Sequence, residues 1–154
     1  MPAGAKGVIF DLDGTLWDAS AEVAAAWSRA LKGFPGIGRD VAPEEMRGLM
    51  GKTMTDIFRI LAPGAGEELR ARIGEACCRE EERSLRLRGG TLFPREAETL
   101  ASLARRYRLF IVSNCQSGYI ETFLDSSGFG GLFADFECFG DTGKRKGENI
   151  ALLY

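Results

Sequence analysis

The 154-residue chain contains no histidine. A Ser-His-Asp triad, a Cys-His protease pair and a histidine-ligated zinc site are therefore excluded. Its four cysteines include no C-x-x-C pair and carry no secretory context, so we expect reduced thiols in a reducing compartment.

Long apolar runs and a strong net charge are also lacking. No run approaches the roughly 18 apolar residues of a membrane span, and a net charge of −2 creates no basic field for nucleic acid or anionic lipid. The first six residues lead directly into a predicted strand, which leaves no room for a signal peptide. We therefore expect a cytoplasmic globular protein with no nucleic-acid or membrane partner.

Two aspartates one residue apart follow a short apolar run near the N-terminus. Residues 8–10 are too few for a helix, and their β-branched and aromatic side chains favour a buried strand. Because side chains alternate along an extended chain, Asp11 and Asp13 point to the same side. Each raises the pKa of the other unless a cation lies between them, and Mg²⁺ is a hard ion that suits oxygen ligands. Gly14 then allows a sharp turn.

The segment after this motif is predicted to be helical. Asp13-Gly14 is also typical of a β-hairpin turn, but no alternating strand follows, and residues 19–32 are rich in helix formers. Helical periodicity continues over residues 43–50, 53–61 and 66–87. Arg and Glu interleave in the last of these, which is typical of a solvated helix face.

From residue 94 helices and strands alternate. Helices are predicted at 95–106, 116–127 and 147–154, and strands at 109–112 and 136–139. Strands separated by amphipathic helices form parallel sheets, whose active sites lie at the carboxyl ends of the strands. The helical segment inserted after the first strand would then cover the site as a lid.

Polar residues follow the second and third strands. A hydroxyl and a backbone N–H at Ser113-Asn114 suit a phosphate oxygen, although an ordinary serine helix cap is the common alternative. After the third strand, Lys144 and Lys146 precede a helix. A lysine there would neutralise phosphate charge, and a solvated basic loop is the alternative.

Residues 8–16, VIFDLDGTL, resemble motif I of the haloacid dehalogenase superfamily of hydrolases, and the resemblance extends along the whole chain. It implies an α/β fold with a Rossmann-like parallel sheet core, formed by residues 1–17 and 89–154, and a helical cap at residues 18–88. It also implies that Asp11 is a nucleophile forming an aspartyl-phosphate, that Asp13 is the general acid/base, and that both hold Mg²⁺.

The other strand ends resemble motifs II and III of the same superfamily. The resemblance implies that Ser113 holds the transferring phosphoryl group, with Asn114 and Thr15 as further phosphate-binding candidates. Lys146 fits the motif III lysine because the next residues open a helix, and Lys144 is the alternative.

The implied activity is Mg²⁺-dependent hydrolysis of a small phosphorylated metabolite. The cap resembles that of phosphoglycolate-phosphatase-like enzymes, and Asp13 favours phosphate over halide chemistry. A sugar-phosphate mutase of the β-phosphoglucomutase type and a non-catalytic phosphate-binding or interaction protein are the alternatives. Lys52 and Thr53, between two cap helices, are candidates for substrate contact, and exposed helix-end residues are an equally common explanation.

Motif IV of the superfamily, an acidic pair after a fourth strand, does not occur before Tyr154. Asp135 and Asp141 are the only acids nearby, and both are predicted to be loop residues flanking the third strand. We therefore expect a chain truncated before motif IV. Its first strand would be an open edge that favours self-association.

Overall fold

The computed structural model describes residues 6–153, in which three parallel strands form one sheet. The strands are β1 (Gly7–Phe10), β2 (Arg108–Ser113) and β3 (Phe133–Cys138), in the order β1-β2-β3. From its second residue onward β2 is buried, as a central strand covered on both faces should be. The parallel α/β architecture predicted from the sequence is confirmed.

The register aligns the carboxyl ends of the three strands. Phe10 lies opposite Ile111, and Ser113 lies opposite Cys138. The residues that follow β1, β2 and β3 therefore meet at one edge of the sheet. Among residues 6–153, β2 is the only partner of β1, and the expected self-association at this edge stays a prediction.

Seven helices of the described residues follow the predicted order, with small differences at their ends, and an eighth, at residues 139–142, was not predicted. They are α1 (Ser20–Leu31), α2 (Pro43–Leu49), α3 (Met54–Leu61), α4 (Glu67–Arg88), α5 (Glu96–Ala104), α6 (Tyr119–Ser127), α7 (Phe139–Thr142) and α8 (Lys146–Leu152). A 3₁₀ turn, Gly130–Leu132, precedes β3. Helix α6 begins three residues later than predicted because Gly118, at φ +82°, interrupts the helical backbone. No helix in the described part of the chain is long and apolar enough to cross a membrane.

Two acids near β3 differ from the sequence prediction. The prediction that both are flanking loop residues is wrong, because β3 begins at Phe133 and Asp135 lies within it. Asp141 lies in the short helix α7, where its carboxylate accepts a hydrogen bond from the Cys138 thiol at 3.0 Å. The apolar residue Phe133 lengthens the strand at its start, since it pairs with β2.

Helices α1 to α4 form a helical insertion after β1 and pack on one another through aromatic and aliphatic side chains. Trp27 of α1 stacks on Phe58 of α3, with ring centroids 5.0 Å apart, and Ile73 of α4 is fully buried. The chain enters and leaves the insertion at neighbouring points. There Asp18 and Thr91 exchange two backbone hydrogen bonds of 2.8 and 2.9 Å.

One acidic residue of α4 departs from the predicted solvated face. Glu81 is only 3% exposed, and its two carboxylate oxygens accept hydrogen bonds from the Trp27 indole at 2.5 Å and from the Gln116 amide at 2.6 Å. Trp27 belongs to the insertion, and Gln116 follows β2. Burial raises the pKa of Glu81 to about 7, and these two hydrogen bonds oppose that rise. Glu81 therefore joins the insertion to the sheet, and its burial costs free energy because the carboxylate is removed from water.

The turn after β3 packs directly on the loop after β2. The Gly140 backbone N–H donates to the Cys115 carbonyl at 2.9 Å, and a Cβ placed on Gly140 would lie 2.0 Å from the Ser117 nitrogen. Backbone atoms cannot yield as a flexible side chain does. Glycine at position 140 is thus required for the two loops to meet.

We expect Gly140→Ala to lower the free energy of unfolding by about 1–3 kcal/mol, because the added methyl must push two backbone segments apart. Urea unfolding monitored by tryptophan fluorescence measures the change. Gly147→Ala is the matched control. Position 147 is helical with nothing within 4 Å of the added Cβ, so that variant should be neutral or slightly stabilised. Equal stability of the two variants would contradict the close-packing argument.

The buried Glu81 carboxyl predicts a pH dependence of stability. Its folded-state pKa of about 7 lies above the ordinary value of 4.5, so the folded protein holds this proton more tightly than the unfolded chain. The stability that this proton contributes is fully present below the pKa of Glu81 in the unfolded chain. It is lost as the pH rises through the pKa of Glu81 in the folded protein. Between about pH 5 and pH 8, the wild type should lose on the order of 2 kcal/mol relative to Glu81→Gln.

Urea unfolding of both proteins across that pH range provides the measurement. Glu82→Gln, at an exposed position of the same helix, is the control and should follow the wild type at every pH. Parallel curves for the wild type and Glu81→Gln would refute the assignment.

Candidate active site

Asp11 follows β1 directly and contacts a lysine from the other end of the chain. Its Oδ1 lies 2.6 Å from Nζ of Lys146, the first residue of α8, and both side chains are about one-third exposed. The Asp11 Oδ2 atom has no partner among residues 6–153. Lys144 forms no ion pair within that range, so the geometry favours Lys146 over Lys144 as the lysine of the site.

Asp13 lies in a more enclosed environment than Asp11. Its Oδ1 accepts hydrogen bonds from the Tyr119 hydroxyl at 2.8 Å and from the Trp17 indole at 3.3 Å. Burial raises the pKa of Asp13 to about 6, the Tyr119 bond opposes the rise, and the Asp11 charge adds to it. Two carboxyls on one strand end therefore differ in environment, which suits one as nucleophile and the other as proton donor.

The turn after Asp13 separates the next residues from the two carboxyls. Gly14 adopts φ +74° and donates its N–H to the Trp17 carbonyl at 2.9 Å. Thr15 lies exposed in this turn, and its N–H donates to the Leu12 carbonyl at 3.1 Å. The Thr15 hydroxyl makes no hydrogen bond with the described residues.

Ser113 and Asn114 end β2 and have different surroundings. Ser113 is 2% exposed, and its Oγ accepts the Cys115 N–H at 3.2 Å, which leaves the hydroxyl proton without a described acceptor. The Asn114 amide donates to the Gly51 carbonyl of the insertion at 2.9 Å and accepts the Lys146 N–H at 3.3 Å. Asn114 thus connects the end of β2 to both the insertion and α8.

A small cavity lies between the insertion and the carboxyl edge of the sheet, and its volume is about 30 Å³. The sheet side contributes Asp13, Ser113, Asn114 and Cys115, α6 and the loop before it contribute Gln116 and Tyr119, and the insertion contributes Val23, Trp27, Met46, Met50, Gly51, Lys52, Met54, Ile57 and Glu81. That volume holds a water molecule or two. The insertion and the carboxyl edge of the sheet thus both line this cavity.

The two substrate-contact candidates lie differently with respect to this cavity. Lys52 is exposed and lines it. Thr53 is buried, and its hydroxyl caps α3 by accepting the Asp56 N–H at 3.3 Å and donating to the Asp56 carboxylate at 2.8 Å. The Thr53 hydroxyl is thus engaged in holding a helix end.

Sequence reasoning missed the partners of Asp13 and the buried acid of the insertion. Glu81 did carry a signal, because it follows Ile73 and Cys77 at four-residue spacing on the apolar stripe of α4. A lone carboxyl on such a stripe indicates a buried polar contact. Trp17 and Tyr119 carried no comparable signal, since their bonds to Asp13 depend on the turn after β1 and on where the fold places α6.

The oxygen atoms of the site fit a magnesium ion. Mg²⁺ keeps several waters and is commonly held by one or two carboxylates together with substrate phosphate. Asp11 offers the unpartnered Oδ2, and the Asp13 carboxyl is near enough for the Asp11 charge to help raise its pKa. Within residues 6–153 no group of three or more acidic or cysteine side chains could hold a metal, and Asp135 and Asp141 do not complete such a group.

Several solved structures share this fold. The chain superposes with a TM-score of 0.80 on a protein from Bacteroides fragilis named as a haloacid dehalogenase-like hydrolase, at 21% identity over 97% of this chain and 71% of that one. A protein named as a predicted phosphoglycolate phosphatase from Haemophilus somnus superposes with a TM-score of 0.78 at 21% identity, over 90% of this chain and 64% of that one. A haloacid dehalogenase-like family protein from Streptococcus pneumoniae superposes with a TM-score of 0.79 at 20% identity, over 97% of this chain and 68% of that one.

The chain thus spans between 64% and 71% of the length of these three proteins. No curated protein matched it. At these identities the structural likeness establishes the fold. The sequence model of one family, the haloacid dehalogenase-like hydrolases, matches residues 8–152, which is nearly the whole chain and includes both aspartates and Lys146. On that match, the chain belongs to the haloacid dehalogenase-like hydrolases.

Proposed function

We propose that the chain hydrolyses a small phosphate monoester with Mg²⁺ as cofactor, through an aspartyl-phosphate formed on Asp11. The observation that carries the proposal is the 2.6 Å contact between Asp11 and Lys146 at the carboxyl end of β1. It puts a nucleophilic carboxylate and a cation for phosphate charge side by side. The phosphatase names of some structural relatives support the same reaction class.

In the first step the free Oδ2 of Asp11 attacks phosphorus, and the bond between phosphorus and the ester oxygen breaks. The leaving oxygen takes a proton from Asp13, and the alcohol departs. Lys146 neutralises charge on the other phosphate oxygens. The Ser113 hydroxyl proton, which has no described acceptor, donates a hydrogen bond to one of them. The product is an acyl phosphate on Asp11.

In the second step Asp13, now ionised, accepts a proton from a water molecule that attacks phosphorus. The bond between phosphorus and Asp11 breaks, inorganic phosphate leaves, and Asp13 is again protonated. The burial that raises the pKa of Asp13 to about 6 suits this exchange, since the group both gives and takes a proton near neutrality. Tyr119 and Trp17 hold the carboxyl in place meanwhile.

The Asp11 carboxylate and, by family resemblance, the Asp13 main-chain carbonyl would hold Mg²⁺. The bound ion supplies the positive charge that lets an anionic ester approach two carboxylates. In this arrangement the Asp13 side chain does not bind the ion and stays available for proton transfer, because its carboxyl already accepts hydrogen bonds from Tyr119 and Trp17.

Replacing the nucleophile provides the first test. We expect the full chain with Mg²⁺ to release inorganic phosphate from an aryl phosphate, and Asp11→Asn to reduce release to background because the amide lacks the attacking charge. Borohydride should trap the wild-type acyl phosphate by reducing Asp11 to homoserine, which mass spectrometry detects.

Asp135→Asn, at an exposed position in β3, is the matched control and should keep its activity. Retention of more than about a tenth of the activity by Asp11→Asn would remove Asp11 from the role. A substrate that is isomerised without net phosphate release would identify a mutase. The absence of any phosphoryl transfer by the wild type would leave the non-catalytic alternative.

Replacing the proton donor should affect substrates unequally. Asp13→Asn should slow alkyl phosphates by about 10²–10⁴-fold and aryl phosphates much less, because a phenolate leaves without a proton. Values of kcat for a matched alkyl and aryl pair provide the measurement. Equal losses on the two substrates would contradict the acid role and indicate a structural defect instead.

A further inference from the structure

Lys146 reaches Asp11 from the first position of α8, directly after an exposed turn. Residues 143–145 form this turn between α7 and α8, and all three are exposed. Lysine carries its charge on a flexible four-carbon stem, so the place that its Nζ atom reaches depends on where its backbone begins. The 2.6 Å contact between Lys146 and Asp11 therefore depends on the contacts that hold the turn in place.

One side chain of α8 makes such contacts. Of residues 146–152, Asn149 is the buried one, and it is 0% exposed. Its Nδ2 donates to the Lys144 carbonyl at 3.0 Å, and its Oδ1 lies 2.7 Å from the Thr142 hydroxyl oxygen. Because a carbonyl can only accept, the bond to Lys144 fixes which end of the amide faces the turn. A single buried amide thus joins α8 to the chain on either side of the turn's first residue.

The Thr142 hydroxyl extends this network to the sheet. It accepts the Lys144 N–H at 3.1 Å, and its own proton is within hydrogen-bond distance of the Asn149 Oδ1 and of the Cys138 carbonyl, at 2.7 and 2.9 Å. Cys138 is the last residue of β3. The hydrogen bonds therefore run from the end of the strand through the turn to α8, and Lys146 lies inside the segment that they span.

Asparagine is an unfavourable residue at this position unless its hydrogen bonds are made. It has a lower helix propensity than alanine or leucine, because its amide competes with the backbone for hydrogen bonds. A buried amide without partners also destabilises the folded state. Asn149 is fully buried within α8, and both polar atoms of its side chain face the segment before that helix. Its contribution to the structure is therefore to fasten the turn to α8.

We propose that Asn149 is a positioning residue of the site, which holds the turn before α8 so that the Lys146 ammonium group lies against Asp11 and meets the phosphate. The inference rests on the proposed phosphatase function and adds a residue to it. Asn114 fixes the same backbone from the side of β2, since its Oδ1 accepts the Lys146 N–H at 3.3 Å. Two asparagines from different parts of the chain thus determine where the stem of the lysine begins.

A double-mutant cycle with Lys146 tests the inference on the full chain with Mg²⁺ and an aryl phosphate. Asn149→Ala removes both hydrogen bonds and should lower kcat by about 10–100-fold, because a small displacement of a catalytic group has a large effect on rate. In a Lys146→Ala background the same substitution should change kcat by less than about threefold, since no lysine remains to be positioned. A purely structural role would lower kcat equally in both backgrounds, and that result would overturn the inference.

A second variant decides the question if Asn149→Ala does not fold. Thr142→Val removes the hydroxyl of the same network at a half-buried position and should lower kcat by about three- to tenfold, again only while Lys146 is present. Thr99→Val is the matched control, because the Thr99 hydroxyl of α5 also donates to a carbonyl four residues earlier, at 2.8 Å. It should keep the wild-type kcat. Independent effects of Thr142→Val and Lys146→Ala would overturn the inference.

Calorimetric titration of inorganic phosphate into the same proteins separates the two proposals. Phosphate should bind more weakly to Asn149→Ala and Thr142→Val than to the wild type, and equally to Lys146→Ala with or without those substitutions. That pattern without ester hydrolysis would support the inference and reject the proposed function alone. Hydrolysis by the wild type without coupling to Lys146 would reject the inference alone. A wild type that neither hydrolyses esters nor binds phosphate would reject both.

Discussion

Two carboxylates held two residues apart at the end of one strand are the constraint around which this structure is arranged. Both aspartates follow β1, and the charge of Asp11 adds to the rise in the pKa of Asp13. The surrounding protein compensates with a cation for one and hydroxyl and indole donors for the other. Lys146 contacts Asp11, and Tyr119 and Trp17 donate to Asp13. Burial of Asp13 is the main cause of its raised pKa, and the hydrogen bonds from Tyr119 and Trp17 oppose that rise.

The partners come from distant parts of the chain, and the parallel sheet brings them together. Because β1 pairs with β2 and β2 with β3, the segments after all three strands lie at one edge. Gly140 packs closely on the loop after β2, and the Lys146 N–H donates to Oδ1 of Asn114 in the same region.

The helical insertion meets the sheet through polar contacts that surround the cavity. Asn114 donates to the Gly51 carbonyl, Gln116 donates to Glu81, and Arg145 lies 3.5 Å from the Asp56 carboxylate. Apolar side chains of the insertion and of the sheet region also belong to one continuous core. Among the polar contacts, Glu81 is buried and burial raises its pKa.

The amino-acid sequence by itself determined the elements and the local chemistry. Periodicity and composition predicted the order of strands and helices, since burial of apolar side chains depends on short-range spacing. The positions of the two aspartates and Ser113 were likewise predictable, because each lies within a few residues of a strand end, and Lys146 was favoured over Lys144 because a helix follows it. Only the tertiary structure put Lys146 on Asp11, put Tyr119 and Trp17 on Asp13, and buried Glu81 against Gln116. Those contacts join residues far apart in the chain, and their strength depends on desolvation, which no local pattern of residues specifies.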